Sequence, residues 1–483
     1  MFHKNLRPRV LSPGRAGAKP RLMAAALFFA LGSAYSEITH TFISFDDITP
    51  AGVDKTQCWN SLGMDDKERI YVGWTSIQNG HEDYFVFRYD PTSGERKFLG
   101  SFMGTSQAAG NLQASEEIPK GHTHMPFIEG KMYMGSQGFH DFKDDINELP
   151  KYRGSHLYTY DVAQGKMEDV SKGFPGGVIT DKQGIVALTY SPWHNLLIGL
   201  SHPLSDIVLF DYKQNKINKI IPGIPWTLGN PTSREVVVTK RGKIYIYRGT
   251  EHVEQRNESH PIWVYDMATG VKQQTAFSCS QGFWNGQTAT ADGNTIFLST
   301  VHGNLYELDV MTDTWKLLGH FLPKADYDNG MRITRLYGIT LSPDEKVIYG
   351  IPSTTTNSRA GVLYQYDRAT GQVTSVRSLG QGSVGTGCYT GSNLRDSRGN
   401  IYSAAFGNTS DVFNRQCRLA VIHVGGTLVT GIRAGNSRGQ ARKKGVWAAG
   451  KAGSLVRLDG REIPREDTRK VKSGTLRPMA HPR

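Results

Sequence analysis

A loose pattern recurs seven times along this chain of 483 residues, and it restricts the possible fold more than any other feature. Each copy has a short apolar segment followed by a second segment that usually ends in an aromatic or apolar residue and Asp. Gly often follows that Asp four residues later. The Asp positions are Asp90, Asp161, Asp211, Asp266, Asp309 and Asp367, and the last copy is the degenerate Val421-Ile422-His423.

Repeats of this length are typical of a β-propeller. Successive Asp positions lie 43 to 71 residues apart, which suits a four-stranded blade with its loops. Each Asp can accept backbone N–H bonds in the turn that follows it. The alternating segment 39–46 is expected to complete the last blade. The sequence therefore predicts an all-β, seven-bladed β-propeller over 37–424, closed by an N-terminal strand, with six or eight blades as alternatives.

The two ends of the chain differ from this repeating part. Residues 1–36 carry six Lys and Arg and no acidic residue, and residues 425–483 carry 14 basic and four acidic residues. The segment between them has 36 basic and 40 acidic residues, so the overall charge of +12 comes from the ends. This distribution argues against nucleic acid binding by the propeller. Residues 425–483 are expected to form a disordered basic tail.

The beginning of the chain is typical of an export signal. A basic stretch precedes the apolar run Leu22–Leu31, which is followed by small residues up to Ser36. We therefore expect residues 1–36 to act as a signal or targeting segment, and the protein to be secreted as a monomer without a transmembrane segment. Cys388 and Cys417 fall in the same predicted blade, where they either pair after export or remain buried thiols.

Polar residues interrupt the repeat at predicted inner strands and the hairpins behind them. His122 and His124 alternate on one strand, which places their side chains on the same side. The other candidates lie in blades two, three, four and six, and they are His140, Tyr190, His202, Arg248, Arg332 and Arg335.

These residue types suit β-elimination at a uronic acid. Arg neutralises the carboxylate, which makes the neighbouring proton removable, while His and Tyr act as base and acid. The reaction requires no metal, although His122, His124 and His140 together could also hold one.

At these residues the sequence resembles the β-propeller polysaccharide lyases of the ulvan lyase and rhamnose–glucuronate lyase type. The likeness rests on the repeats, on the segment His122-Thr-His-Met-Pro126, on Gly-Phe-His140 and on Leu-Thr-Tyr190. It implies that His122 or His124, His140 and Tyr190 are catalytic, and that Arg248 with Arg335 or Arg332 holds the carboxylate. The chain departs from the family where an Arg is expected after Tyr190, since Ser205-Asp206 stand there. His202 could either compensate for this Arg or take the tyrosine role itself.

Three hypotheses about function follow. The first is a secreted lyase that acts on an acidic, uronate-containing polysaccharide without a required cofactor. The second is a non-catalytic propeller that binds carbohydrate or protein through the same funnel. The third is a metal-dependent hydrolase, which ranks last because no acidic ligands cluster beside these histidines in the sequence.

Overall fold

The computed structural model describes residues 38–78, 81–114, 116–138, 152–225, 231–250, 252–355, 361–379, 388–406 and 417–424. Antiparallel strands dominate these residues, and seven sheets of four or five strands follow one another along the chain. Each sheet is one blade, so the predicted seven-bladed β-propeller is confirmed. The predicted leader and the predicted basic tail lie outside the described residues.

The blades succeed one another in chain order, and each runs from its first strand to its last. Blade one consists of Asp54–Gln57, Ile70–Gln78, His81–Tyr89 and Arg96–Ser101, with Leu62–Met64 beside its second strand. Blade two consists of Lys120–Gly121, Lys131–Gln137, Leu157–Asp161 and Lys166–Asp169, with Phe127–Ile128 beside its second strand. Blade three consists of Gly184–Ser191, Leu196–His202, Ile207–Asp211 and Lys216–Ile221.

The remaining four blades follow the same order. Blade four consists of Val237–Val238, Lys243–Ile246, His260–Asp266 and Lys272–Cys279, and blade five of Trp284–Ala289, Thr295–Thr300, Asn304–Asp309 and Thr314–His320. Blade six consists of Ile339–Leu341, Val347–Gly350, Val362–Asp367 and Val373–Ser378. Blade seven consists of Cys388–Arg395, Ile401–Phe406, Cys417–His423 and Thr39–Ile43. Two further pairs are Gly154–Ser155 with Thr180–Asp181, and Ile333–Arg335 with Ser353–Thr354.

Helices are short in the described residues. The α-helices are Phe102–Ala109 and Lys324–Asp328, and the 3-10 turns are Asp46–Ile48, Val170–Gly173, Pro175–Gly177 and Val253–Gln255. Within the described part of the chain, neither α-helix has the length and apolar character needed to cross a bilayer.

The last blade takes its outer strand from the beginning of the described chain. Thr39–Ile43 pairs antiparallel with Cys417–His423, with Thr39 opposite His423 and Ile43 opposite Leu419. Cys417 Sγ contacts the backbone oxygen of Lys55 at 3.0 Å. The side chain of Cys388 is not among those described, so the proposed pairing of Cys388 with Cys417 stays a prediction.

Seven apolar clusters hold the blades together. Each cluster contains residues from two consecutive blades, and one of them joins the seventh blade to the first through Tyr402, Leu419, Val72 and Phe87. Because both faces of each sheet are covered in this way, the burial of apolar surface stabilises the ring as a whole.

The repeated Asp shapes the outer turn of each blade as the sequence predicts. In all six copies the Asp side chain accepts two backbone N–H bonds of 2.8 to 3.3 Å from the turn that follows. The residue four positions later has positive φ, and it is Gly in four copies but Asn215 and Asp313 in two. These two residue types tolerate the left-handed conformation better than most, which explains why the Gly is dispensable there.

Candidate functional site

Charged and aromatic side chains from five of the blades contact one another or interact through their charges. Trp59 of the first blade stacks on His122 of the second, with ring centroids 5.4 Å apart and an interplanar angle of 18°. Tyr337, which precedes the first strand of blade six, meets Trp59 edge-on at 6.1 Å. Lys120 Nζ lies 5.5 Å from the Trp59 ring centroid. These contacts bring together segments that are far apart in the sequence.

Two arginines and a second histidine complete this site. The charges of Arg234 and Lys120 act on both His122 and His202, and the charge of Arg248 acts on His202. We call Trp59, Lys120, His122, His202, Arg234 and Arg248 the cationic cluster. His122 and Arg248 are buried, with exposed fractions of 5% and 4%, while the other four are half-buried. Two members of the cluster are therefore buried and four are partly accessible.

Both histidines of the cationic cluster are neutral near pH 7. Burial, followed by the charges of Arg234, Lys120 and the other histidine, lowers the pKa of His122 well below its usual value. Burial and the same cations, with Arg248, lower the pKa of His202 in the same way. Among the described residues, His122 Nδ1 has no hydrogen-bond partner. A neutral imidazole with an unused ring nitrogen can accept a proton or a hydrogen bond from a ligand.

His124 has the opposite electrostatic environment, although it lies two residues from His122. Its Nε2 lies 3.0 Å from Oε1 of the buried Glu235. This contact joins blade two to the segment that precedes blade four. Burial opposes the charged form, but the charge of Glu235 and the hydrogen bond to it raise the pKa of His124. Neighbouring histidines with pKa values shifted in opposite directions can divide the roles of base and acid.

Arg248 is fixed from the backbone of blade three. Its Nη2 donates a hydrogen bond to the carbonyl oxygen of Pro203, and its backbone bridges Thr232. Burial lowers the pKa of Arg248 to about 10, against an opposing effect from Asp206. The guanidinium therefore stays charged at neutral pH, and an anion bound beside it would replace the solvent that it lacks.

A close backbone approach positions His122. A Cβ at Gly121 would lie 2.7 Å from the ring of Tyr84, which is fully buried. Gly121 also pairs with Ser136 in the ladder of blade two. Only a residue without a side chain allows this strand to pack against Tyr84, and so the glycine sets the position of the histidine that follows it.

The structure separates Tyr190 from the histidines. Tyr190 pairs with Leu197 near the turn of its hairpin, whereas His202 pairs with Gly184 at the other end. Six residues of strand between Gly184 and Tyr190 correspond to roughly 20 Å. Tyr190 meets the ring of Tyr212 edge-on at 5.7 Å. The expectation that it lies beside the His pair is wrong, because the hairpin places the two ends of one strand on opposite faces of the propeller.

The two predicted arginines before blade six also differ from each other. Arg332 lies over the ring of Tyr327 at 4.2 Å and donates to the backbone oxygen of Tyr327 at 2.7 Å. Arg335 is exposed and lies 5.9 Å from the ring of Tyr337, which in turn contacts Trp59. The structure thus connects Arg335, but not Arg332, to the cationic cluster. His140 lies outside the described residues, and its role stays a prediction.

Sequence reasoning missed Trp59, Lys120, Arg234 and Glu235. Lys120 stands two residues before His122, so the same spacing in the sequence could have included it. The expectation that His122 and His124 share one strand is wrong, because the strand Lys120–Gly121 ends before them. Arg234 and Glu235 precede the first strand of their blade as Arg335 precedes that of blade six. Trp59 carries no comparable signal. Within the described residues, no group of three or more His, Cys, Asp or Glu side chains is placed to hold a metal ion.

Comparisons with known proteins found distant structural likenesses. No protein family model and no curated protein matches this chain. A chain of the solved structure "Crystal Structure of Mitotic Checkpoint Complex" is similar at 10% identity and a TM-score of 0.48, covering 86% of this chain and 99% of that one. The periplasmic gluconolactonase PpgL of Pseudomonas aeruginosa is similar at 12% identity and a TM-score of 0.43, covering 66% of this chain and 84% of that one. The β-propeller assignment itself rests on the seven sheets and the seven clusters between them.

Proposed function

We propose that this propeller is a lyase that cleaves a uronate-containing polysaccharide by β-elimination at the cationic cluster. The observation that carries the proposal is the pairing of two uncharged histidines, His122 and His202, with Lys120, Arg234 and Arg248. β-Elimination needs both components, since a cation must offset the carboxylate charge while a neutral base removes the adjacent proton.

The reaction divides among these residues as follows. Arg234 and Arg248 hold the uronate carboxylate and stabilise the negative charge that grows on it when the C5 proton leaves. His122 accepts that proton. The electron pair forms the C4–C5 double bond, the C4–O4 bond breaks, and the departing oxygen takes a proton from His124, whose pKa Glu235 raises against the effect of burial. The products are an unsaturated uronate and a new chain end.

The test is product formation from glucuronate-containing polysaccharides, followed by the ultraviolet absorbance of the unsaturated uronate. We expect Arg234→Ala to lower the rate on the order of 100-fold, as loss of one preorganised charge-stabilising group does. The matched control is Arg332→Ala, because Arg332 is the predicted arginine that contacts Tyr327 instead of the cluster. No absorbance rise across a panel of uronate polymers, or equal losses in both variants, would contradict the proposal.

A non-catalytic carbohydrate-binding propeller is the second candidate. One observation favours it: Tyr190, which carries the tyrosine role in the family resemblance, contacts Tyr212 and lies far from His202. Calorimetric titration with a glucuronate oligosaccharide distinguishes the two candidates. Binding that Arg234→Ala weakens, with no product formed by the unaltered protein, would support the binding protein over the lyase.

A further inference from the structure

A second histidine site lies in blade two, apart from the cationic cluster. His156 is fully buried; its Nδ1 lies 2.9 Å from Asp169 Oδ2, and its Nε2 lies 3.1 Å from Glu116 Oε1. The network is completed by Ser106, Asn111 and Arg153. We call these three residues, together with His156, Asp169 and Glu116, the His156 lock.

Charge balance indicates that His156 is an imidazolium. Glu116 and Asp169 are buried, so two negative charges need two positive partners. Arg153 supplies one, with its Nη2 3.2 Å from Glu116 Oε2. Burial favours neutral His156, but the hydrogen bonds to Asp169 and Glu116 raise its pKa. The titratable and charged side chains that face the imidazole are these two carboxylates, Arg153 at 3.3 Å and the stacked Tyr158.

The arrangement does not suit nucleophilic catalysis. Ser106 Oγ lies 3.4 Å from His156 Nδ1, the same nitrogen that Asp169 already occupies, and it donates to Asp169 at 2.7 Å. In a Ser-His-Asp triad the serine and the carboxylate bind opposite ring nitrogens, and the serine must reach a substrate. Ser106 has an exposed fraction of 0%, so a structural role fits the geometry.

The lock holds the connection between blades one and two. Ser106 belongs to the helix Phe102–Ala109, and Asn111 and Glu116 follow it in the same connection. All three bind His156 or Asp169, which belong to blade two. The side chains of Asn111 and Glu116 therefore attach the connection to blade two, since both residues lie outside the helices and strands and their backbone N–H groups bond locally to the oxygens of Ser106 and Gln113.

The same connection leads directly into the cationic cluster. Four residues after Glu116 the strand Lys120–Gly121 begins, and His122 follows it. His156 is also coupled through the sheet: its backbone N–H donates to Ser136 Oγ at 2.8 Å, and Ser136 pairs with Gly121. One strand therefore separates the lock from the backbone that carries Lys120 and His122.

We propose that His156 is a positioning residue that, paired with Asp169 and Glu116, fixes the segment bearing Lys120 and His122. The inference that this segment positions a substrate rests on the proposed function, whereas the inference that His156 orders residues 102–124 is independent of it. Removal of the imidazolium leaves two buried carboxylates with Arg153 alone, so the connection detaches from blade two before the propeller unfolds.

The experiment is hydrogen–deuterium exchange of the full chain carrying His156→Gln, with the control His252→Gln. His252 also pairs with a glutamate, at 3.5 Å, but both side chains are exposed. We expect amides within 102–124 to exchange on the order of 100-fold faster in His156→Gln, with blades four to six unchanged. Unchanged exchange in 102–124, or an equal rise in all blades, would overturn the proposal.

Two further measurements keep the outcome decisive. Glu116→Gln keeps a hydrogen-bond acceptor and removes one charge, so it serves as the test if His156→Gln does not fold. This variant should show a smaller rise in exchange, confined to 102–124. The absence of that rise would contradict the proposal. Affinity for a glucuronate oligosaccharide should fall in His156→Gln but not in His252→Gln. Local exchange without any saccharide binding by the unaltered protein would leave the ordering role intact and refute the proposed function.

Discussion

Two histidine sites in this propeller differ in the charge of the side chains around them. His122 and His202 lie among Lys120, Arg234 and Arg248, and they are neutral. His156 lies between Asp169 and Glu116, and it is protonated. Burial disfavours the charged form at all three positions, so the difference comes from the neighbouring charges.

The comparison separates a site rich in cations from a site whose carboxylates are already paired with its cations. The cationic cluster has positive side chains on a partly accessible surface, which favours binding of an external carboxylate. The His156 lock balances its own charges, and its imidazole and both carboxylates are buried, which favours stability. Histidine content alone therefore does not identify the working site; the sign of the surrounding charge does.

The largest effect should come from breaking the His156 lock with Asp169→Asn. This change removes a charge from a fully buried pair, and we expect it to lower the free energy of unfolding by about 3–5 kcal/mol. The adjacent Glu168→Gln is the control, because Glu168 pairs with Lys166 in a solvent-exposed salt bridge that contributes little to stability. Denaturant unfolding measures both, and similar losses in the two variants would show that the lock is not a buried charged pair.

Opposite pH dependences should then distinguish the two sites. The raised pKa of His156 means that its contribution is complete below about pH 6.5 and is lost as pH rises through the folded value. For His122 the pKa is lowered, so the unfolded chain takes up a proton first, and stability falls as pH drops below about 6.5.

The measurement is the free energy of unfolding between about pH 5 and 9. His156→Gln should flatten the alkaline side of the profile, and His122→Gln should flatten its acidic side. In each case the slope of the free energy of unfolding against pH should change by up to about 1.4 kcal/mol per pH unit, the value for one proton. Profiles that remain parallel to that of the unaltered protein would contradict the assigned charge states.

The smallest effect should come from Tyr190→Phe. Because Tyr190 lies near Tyr212 at the far end of its hairpin, we expect product formation to change less than about twofold and stability by less than about 1.5 kcal/mol. The uronate absorbance assay and denaturant unfolding check this. Loss of activity in a stably folded Tyr190→Phe protein would restore Tyr190 to the catalytic set and remove the cationic cluster from it.

Much of the scaffold was predictable because its signals are local. The Asp after each strand bonds to a turn two and three residues away, as with Asp90 and the amides of Thr92 and Ser93. The candidate site was less predictable from the sequence: His122, His202 and Arg248 were predicted, while Trp59, Arg234 and Glu235 were not. No sequence period relates Trp59 of blade one to Tyr337 before blade six, although their rings lie 6.1 Å apart.

The sequence by itself determined the blades, their turns and a set of polar residues that break the repeat. Only the tertiary structure decided which of these residues share a site and which charge each histidine carries. Strand alternation predicts that His122 and His124 lie on one side, but both follow the end of the strand Lys120–Gly121. Burial and the charge of Arg234 lower the pKa of His122, whereas Glu235 raises that of His124 against the effect of burial. The physical reason is range: strand and turn formation depend on neighbours in sequence, whereas burial and charge depend on side chains that the closed ring brings in from other blades.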